Sequence, residues 1–371
     1  MTVSTRFLVN QEKFSDTQTQ QQVLSTADEL HDGQVLLKVD QFAFTANNVS
    51  YAAIGKAFHY WDFFPAPDHN GIIPVWGFAD VVASRCDNIH PGERFYGYYP
   101  MATHLLVEPA KVTDSGFVDA TAHRQPLPII YNQYLRCSSD PIYSENTEAL
   151  QMLLRPLFTT SFLLDDFFDD NDFFGAQNII LTSASSKTAL GMAFALKQNR
   201  ESRNHKYNII GLTSQSNLAF VEGLGCYDQV LTYDQIEQLD NTTPSASVDF
   251  AGNGTVLGNL HNHLNQQLKY SCLVGASHWD QRSTSDKERA GPAPVLFFAP
   301  SQAEKRIGDW GGAEFQKKLA SIWMQFIGFV GGWMDVEMHQ GTAQVEAIYQ
   351  QVLAGQMNPN QGHILSLWET E

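Results

Sequence analysis

A short polar turn at residues 182–187 contains the side chains of this sequence best suited to binding a phosphate. The apolar run 179–181 stops at six small or polar residues, and the helix-like segment 188–197 follows at once. A strand that leads through a tight turn into a helix directs unpaired backbone N–H groups towards one point, where they can bind an anion. Lys187 adds a positive charge at that point. The pattern therefore predicts a nucleotide-binding turn.

One interpretation of this turn is a phosphate loop of the kinase or NTPase type. Residues 186–188 match the end of the Walker A motif, G-x-x-x-x-G-K-[ST], but Leu181 and Ser186 occupy its glycine positions. That loop needs glycines so that its backbone can wrap around phosphates. A kinase or NTPase is therefore the weaker of the two nucleotide interpretations, and a helix cap without any ligand also remains open.

This turn fits the dinucleotide fingerprint, G-x-G-x-x-G, better than it fits the Walker A motif. Ser183, Ser185 and Ala189 stand in its glycine places. Small residues still allow a pyrophosphate to approach the backbone, and hydroxyl groups can donate hydrogen bonds to it. We therefore predict a dinucleotide cofactor. Its binding residues in the turn are Ser183, Ala184, Ser185, Ser186, Lys187 and Thr188.

The end of the next candidate strand favours NADP(H) over NAD(H). NAD enzymes usually place Asp or Glu there to bind the ribose 2′-hydroxyl. Here the strand ends in the string IIGLTSQSN, which contains no acid. The absence of a carboxylate removes repulsion against a 2′-phosphate. Thr213, Ser214 and Asn217 are the hydrogen-bond donors predicted for it.

Two further strand ends, VDFAGN and LVGASHWD, finish with glycine and polar residues. Ligands of doubly wound sheets lie over the carboxyl ends of the strands. The same glycines would also suit plain turns, and that alternative stays open. The predicted cofactor site is completed by residues at these strand ends, Gly252, Asn253, Gly275 and Ser277. It also includes Tyr233, which follows candidate strand 229–232.

The elements around these strand ends predict an α/β fold in two domains. From residue 178 onwards, short apolar runs alternate with helical patterns at 217–224 and 256–269. This rhythm is typical of a doubly wound parallel sheet. The first 150 residues instead alternate like antiparallel strands, starting at 33–44, and predict a β-barrel-like domain. The candidate strands of the parallel sheet are 178–182, 207–212, 229–232, 246–250, 271–275 and 295–298.

Three other segments give structural predictions without a function. A helix is expected over 145–168, and the aromatic-rich tail 315–353 is expected to be helical, with its aromatic residues in the core. The acidic stretch 165–172 lacks the loop spacing of a calcium site, so it predicts a solvated helix end.

Composition excludes several classes of protein. The 371 residues are 43% hydrophobic and 17% charged, which is typical of a globular protein. A net charge of −17 argues against binding to nucleic acids and to anionic membranes. No apolar run approaches the roughly 20 residues that span a bilayer, and the N-terminal residues lack a signal-peptide core. The four cysteines are dispersed, so we expect a reduced cytoplasmic protein without a disulfide framework.

The order of these parts resembles the medium-chain dehydrogenase/reductase superfamily. GQVLLKV with FTANNVSYAAIG is similar to its opening strand and first active-site loop, IHPGERFYGY to its "vkpGDrVyg" segment, and IILTSASSKTALGMAFALK to its cofactor turn. The strings PVWGFADVVAS, AHRQPLPIIYNQY, LLRPLFTTSFLLDD and VDFAGN resemble an uncharacterised branch known only as a domain of unknown function.

This resemblance implies a GroES-like catalytic domain over 1–155, completed by 300–371, and a Rossmann NADP-binding domain over 156–299. Substrate would meet nicotinamide in a cleft between them. The family's zinc ligands have no counterparts around residues 40–80, because His59 and His69 lack companions at ligand spacing. The chain is therefore more similar to zinc-free quinone and enoyl reductases, and no metal is expected. Since family members often dimerise, a homodimer is possible.

The same resemblance implies the reaction and its residues. Zinc-free reduction needs a hydride donor, here NADPH, together with hydrogen-bond and proton donors for the substrate oxygen. Asn48 and Tyr51 lie in the string similar to the first active-site loop, and Tyr131 offers a second polar position after a proline-rich turn. Thr160 resembles the helix residue that contacts the nicotinamide side. The expected function is an NADPH-dependent oxidoreductase of a small enone, quinone or acyl compound. The alternative is a scaffold protein that retains the fold without hydride transfer.

Overall fold

A computed structural model describes residues 2–24, 29–250, 252–274 and 290–369. The chain divides into two compact units. Unit 1 comprises Met1–Pro156 and Val330–Glu371, and unit 2 comprises Leu157–Phe329. Residues 300–329, which we expected to complete the first domain, lie in unit 2.

Strands predominate in unit 1 and alternate with helices in unit 2. The strands in chain order are β1 (Thr2–Asn10), β2 (Thr17–Leu24), β3 (Val35–Ala43), β4 (Asn70–Gly71), β5 (Pro74–Ser84), β6 (Arg94–Pro100), β7 (His104–Val107), β8 (Pro109–Thr113), β9 (Gly116–Asp119), β10 (Gln133–Arg136), β11 (Asn178–Leu181), β12 (Asn208–Thr213), β13 (Gln229–Thr232), β14 (Ser245–Asp249), β15 (Leu268–Leu273), β16 (Val295–Leu296), β17 (Asp335–Gln340) and β18 (Gln361–Ser366). The α-helices are α1 (Ala46–Ala53), α2 (Glu148–Asp170), α3 (Lys187–Asn199), α4 (Leu218–Gly223), α5 (Gly254–Leu264), α6 (Ala299–Trp310), α7 (Gly312–Val330) and α8 (Thr342–Leu353).

The main sheet of unit 1 is largely antiparallel. Its strand order is β17-β18-β3-β5-β6-β10-β9-β8, with β7 also paired to β3, and β2-β1-β4 form a smaller sheet. Side chains of β3, β5 and β6 contribute to a buried core whose aromatic members include Phe42, Phe95 and Tyr98. This β-rich unit agrees with the predicted GroES-like fold.

Unit 2 contains the parallel, doubly wound sheet. Its strand order is β13-β12-β11-β14-β15-β16, and every neighbouring pair is parallel. The order reverses at β11 because β12 lies on one side of it and β14 on the other. A ligand site is expected at such a reversal, over the carboxyl ends of the strands. The predicted α/β Rossmann fold is confirmed.

Two predicted helices need correction. The helix predicted over 256–269 ends at Leu264, and β15 starts at Leu268. The tail 315–353 is not continuously helical, because β17 separates α7 from α8. Val336 and Met338 alternate with polar residues there, a period of two that forms a strand rather than a helix. Gly341, with φ of 87°, then turns the chain into α8.

The acidic stretch at the end of α2 is also different from the prediction. Asp165 is buried and pairs with Arg203 at 2.8 Å, and Asp166 pairs with Arg306 at 2.5 Å. Asp170 accepts a further ion pair from Lys305 at 2.7 Å. These carboxylates tie α2 to neighbouring elements of unit 2 instead of forming a solvated helix end. The prediction that the aromatic residues of α7 belong to the core is confirmed, because Trp323 and Phe326 are buried.

Candidate functional site

The residues that join β11 to α3, which we call the phosphate turn (residues 182–187), form a tight and strained turn. Ser183 has φ of 50°, in the left-handed region that favours glycine. The Ser186 amide donates to the Ser183 carbonyl at 2.7 Å, and the Ser186 hydroxyl caps α3 by accepting from Ala189 N at 3.4 Å. Ser186 thus caps the helix, while Ser183, which stands at a glycine place of the fingerprint, has a strained backbone.

Neighbouring strands fix the shape of the phosphate turn. The Ser183 amide donates to the Tyr233 hydroxyl at 3.2 Å, and the Ala184 amide donates to the Leu212 carbonyl at 3.0 Å. On the other side, the Tyr227 hydroxyl donates to the Ala184 carbonyl at 2.9 Å. Tyr233 therefore occupies one of the amides that we predicted to face a cofactor.

Other groups of the turn are positioned to bind an anion. Ser185 is partly exposed, and its hydroxyl accepts from the Asn217 side chain at 3.0 Å. Within the described residues, no hydrogen bond is made by the amides of Ser185 and Thr188. Both belong to the turn or to the first turn of α3, where the helix dipole favours negative charge.

Lys187 is the cation at the start of α3. Desolvation by the surrounding protein lowers the pKa of its ammonium to about 8. A positive charge in a partly dehydrated setting interacts more strongly with a phosphate than it would in water. At neutral pH the group is still mostly protonated, so it can bind an anion.

Close helix packing brings α2 up to the turn. Ser161 on α2 donates a hydrogen bond from its hydroxyl to the Thr188 carbonyl at 2.7 Å. A Cβ on Gly191 would lie 2.7 Å from that hydroxyl oxygen, so a larger residue there would displace the Ser161 side chain. Thr160 is adjacent to Ser161 on α2 and is partly exposed.

At the end of β12 the predicted donors separate into buried and accessible residues. The Thr213 side chain is buried, and its hydroxyl has no hydrogen-bond partner among the described residues. Ser214 is partly exposed, and its hydroxyl lies 2.9 Å from that of Ser216. The strand end contains no carboxylate, so Ser214 is better placed than Thr213 to interact with a ribose phosphate.

At the end of β14 the polar residues organise the backbone. Asp249 accepts from the Thr182 hydroxyl at 2.6 Å and from the Gly252 amide at 3.1 Å. Gly252 has φ of 72°, so it makes a turn that disfavours other residues. Asn253 caps α5 by accepting from the amide of Val256 at 3.2 Å. Gly275 and Ser277, predicted for the next strand end, lie outside the described residues.

Unit 1 contains a group of four phenols, the tyrosine cluster (Tyr51, Tyr60, Tyr98 and Tyr131). The hydroxyls of Tyr60 and Tyr131 lie 3.0 Å apart. The ring of Tyr131 is centred 4.9 Å from that of Tyr98, and the ring of Tyr51 is 4.6 Å from that of Tyr60. Two residues predicted as catalytic, Tyr51 and Tyr131, therefore belong to one cluster.

Burial keeps these phenols protonated. Desolvation raises the pKa of Tyr51 and of Tyr131 well above the ordinary value. The indole N–H of Trp76 donates to the Tyr51 hydroxyl at 3.4 Å, which leaves the phenol O–H to donate elsewhere. A neutral phenol in a poorly solvated cluster can donate a hydrogen bond or a proton to a carbonyl oxygen.

The side chain of Asn48, the third residue predicted as catalytic, forms hydrogen bonds with backbone groups. Its side-chain N–H₂ donates to the Pro74 carbonyl at 3.0 Å, and its carbonyl oxygen accepts from the Thr45 amide at 2.9 Å. The contact with Thr45 is part of the capping box of α1. The side chain is buried, and this arrangement favours a role in positioning the helix that holds Tyr51.

Sequence reasoning missed two members of the cluster, Tyr60 and Tyr98. The Tyr98 side chain is fully buried, and its hydroxyl has no hydrogen-bond partner within the described part of the chain. The available signal was the string RFYGYYP, where Tyr96 and Tyr98 alternate on β6 and must share one face. His59, by contrast, is an exposed residue that pairs with Asp62 at 2.8 Å.

Comparison with known families matches residues 42–358 to the model described as "Protein of unknown function (DUF2855)". The chain belongs to this family. No curated protein matches the sequence.

Solved structures share the whole fold of this DUF2855 protein. CurA from Vibrio vulnificus in complex with NADPH is 12% identical, with a TM-score of 0.60 and 99% of both chains covered. The mitochondrial 2-enoyl thioester reductase Etr1p/Etr2p heterodimer from Candida tropicalis is 13% identical, with a TM-score of 0.56, covering 99% of this chain and 100% of that one. A putative NADPH:quinone reductase from Bacillus thuringiensis is 12% identical, with a TM-score of 0.57 and 99% of both chains covered.

These similarities confirm the predicted fold class, including the resemblance to quinone and enoyl reductases at the level of fold. They extend over the residues of both units. None of the described helices is long and apolar enough to cross a membrane.

Proposed function

We propose that the protein is an NADPH-dependent oxidoreductase that reduces a small enone, quinone or related acyl or carbonyl compound without a catalytic zinc ion. The observation that carries this proposal is the phosphate turn at the reversal point of the parallel sheet. There, the amides of Ser185 and Thr188 make no hydrogen bond within the described residues, and Lys187 is the first residue of α3. Such a helix start is a general anion site, and a Rossmann sheet uses it for pyrophosphate.

The preference for NADPH over NADH rests on the end of β12. Ser214 and Asn217 follow that strand, and no carboxylate is present to bind the 2′-hydroxyl of NADH or to repel a 2′-phosphate. Two proteins of similar fold give an independent reason to test this cofactor first. One is CurA, solved in complex with NADPH, and the other is a putative NADPH:quinone reductase. Thr160, Tyr233, Gly252, Asn253, Gly275 and Ser277 complete the proposed cofactor site as contacts or as residues that position it.

The tyrosine cluster is proposed to act on the substrate. Tyr51 and Tyr131 would donate hydrogen bonds to the carbonyl oxygen of the acceptor, and one of them would supply the proton after hydride addition. NADPH supplies the hydride when bound. Asn48 is proposed to hold α1 and therefore Tyr51 in position.

The alternative is a nucleotide-binding or scaffold protein that retains the reductase fold and does not transfer hydride. One observation favours it, namely that Tyr233 occupies the Ser183 amide and that serines replace the flexible glycines of the turn. The two proposals share the fold and differ in hydride transfer.

The test is a titration of the full chain with NADPH and NADH, followed by assays of NADPH oxidation with quinones, enones and enoyl thioesters. We expect saturable NADPH binding, weaker NADH binding and acceptor-dependent oxidation. Tight NADPH binding without turnover on any of these acceptors would support the scaffold. Failure to bind NADPH would refute both the reductase and the proposed cofactor preference.

A further inference from the structure

Two paired strands of unit 1 bring two imidazoles and a carboxylate together. β17 is the edge strand of the main sheet and runs parallel to β18, with Glu337 opposite His363. Residues two apart on a strand point to the same face of the sheet, and so do paired residues of neighbouring strands. Glu337, His339 and His363 therefore lie on one face.

The distances within this group fit a bound ion. His339 Nε2 lies 3.0 Å from His363 Nδ1, and Glu337 Oε2 lies 3.7 Å from each of those nitrogens. A point equidistant from the three atoms lies about 2.0 Å from each of them, which matches typical zinc–ligand distances of about 2.0–2.2 Å. At 3.7 Å the carboxylate is too far from either nitrogen for a direct hydrogen bond.

The surroundings also suit a metal ligand set. Gln361 donates a hydrogen bond from its side chain to Glu337 Oε1 at 3.0 Å, which holds the carboxylate with Oε2 towards the imidazoles. Such outer hydrogen bonds orient the ligands of metal sites. The side chains of His363, His339 and Glu337 are 5%, 17% and 43% exposed. This gradient gives an ion a buried floor and an open path to solvent.

We propose that Glu337, His339 and His363 form a binding site for a divalent transition-metal ion such as Zn²⁺. Imidazole nitrogens favour zinc, copper, nickel and iron, whereas sites for Mg²⁺ and Ca²⁺ consist of oxygen ligands. Three protein ligands leave a coordination position for water or another group. The site joins β17 to β18, so bound metal stabilises the pairing of the edge strand. It uses no residue of the proposed cofactor or substrate site.

The experiment is isothermal titration of the full, chelator-stripped protein with Zn²⁺, in the absence of NADPH. We expect one tight equivalent, no comparable binding of Mg²⁺, and a higher melting temperature in the presence of Zn²⁺. His339→Ala and Glu337→Gln should each weaken binding by about 10- to 100-fold or more. His69→Ala, which changes an exposed histidine of the same unit outside the group, is the matched control and should bind zinc like the wild type.

A second readout is a spectroscopic signature of the ligands around the metal. Co²⁺ bound in place of zinc should produce visible absorption bands in the wild-type protein and in His69→Ala, and these bands should be lost in His339→Ala. No stoichiometric zinc binding to the wild type would overturn the proposal, and so would equal affinity in His339→Ala. Since NADPH plays no part in these measurements, their outcome is separate from that of the proposed reductase activity.

Discussion

The phosphate turn and the tyrosine cluster differ in how the fold positions their functional groups. The proposed anion site consists of main-chain amides and one cation from the turn and the start of α3, so its geometry follows from a single strand–turn–helix unit. The cluster relies on side chains from four separate segments between Tyr51 and Tyr131, and the fold of unit 1 alone brings them together. The comparison indicates that binding at the turn should depend on local charge, whereas chemistry at the cluster should depend on individual hydroxyls.

The largest expected effect is on cofactor binding at the turn. Lys187→Glu replaces the ammonium that we propose to bind the cofactor phosphates with a carboxylate, and one charge pair at about 4 Å near a protein surface contributes about 4 kcal/mol. We expect NADPH affinity to fall about 1,000-fold, measured by fluorescence titration. Lys197→Glu, at the other end of α3, is the control and should bind NADPH almost normally. Equal affinity in Lys187→Glu and the wild type would place the pyrophosphate elsewhere.

The next effect should separate chemistry from binding. Tyr131→Phe removes a phenol that we propose as a donor to the substrate oxygen, and loss of such a proton donor typically costs about 100-fold in rate. We expect kcat to fall by about that factor while the NADPH dissociation constant stays constant. Tyr143→Phe, another tyrosine of unit 1, should leave kcat largely unchanged. If Tyr131→Phe retains full kcat, this phenol does not act on the substrate.

A smaller effect should appear in cofactor preference. Ser214→Asp supplies the carboxylate that is absent after β12, so it should repel the 2′-phosphate and accept from a 2′-hydroxyl. We expect the ratio of NADPH to NADH affinity to fall about tenfold, a typical size for one screened charge near the ligand. Ser202→Asp adds the same charge at an exposed position after α3. A matching change in that control would point to a general charge effect.

The smallest effect should come from pH. Burial lowers the pKa of Lys187 to about 8, so the free protein loses this positive charge as the pH rises through that value. Binding an anion favours the protonated form, and NADPH affinity should therefore be constant below pH 8. Above pH 8 it should fall by at most about tenfold per pH unit.

Lys187→Gln has no titrating ammonium and should show little change over the same range. The lowered pKa of Lys187 also affects folding stability, which should rise with pH where NADPH affinity falls. Because the folded protein holds this proton less tightly than the unfolded chain, the cost of burying the charge is present below pH 8. It is relieved as the pH rises from about 8 towards the unfolded value. A wild-type pH profile identical to that of Lys187→Gln would contradict the assignment.

The regular parts of the fold could be predicted from local pattern. The strands β11–β15 were located within a few residues because each is a short apolar run followed by turn residues. The prediction of a continuous helix in the tail was wrong because the hydrophobic pattern changes from a period near 3.6 residues in α7 to a period of two in β17 over a few residues. The prediction that Asp165 and Asp166 are solvated was wrong because their ion-pair partners, Arg203 and Arg306, lie far away in sequence.

The candidate sites show the same limit. Residues of the phosphate turn were predictable as a set, but their individual contacts were not. Tyr233 binds the Ser183 amide and Asn48 caps α1, and both contacts depend on the assembled fold. The grouping of Glu337 and His339 with His363 also depends on strand pairing, because 24 residues separate the two histidines.

The most direct test of the central claim is hydrogen–deuterium exchange of the peptide that covers residues 182–190, with and without NADPH. If the amides at the start of α3 bind the pyrophosphate, exchange in this peptide should slow on NADPH addition in the wild type, and Lys187→Glu should show no slowing. NADPH binding that leaves this peptide unprotected would contradict the account.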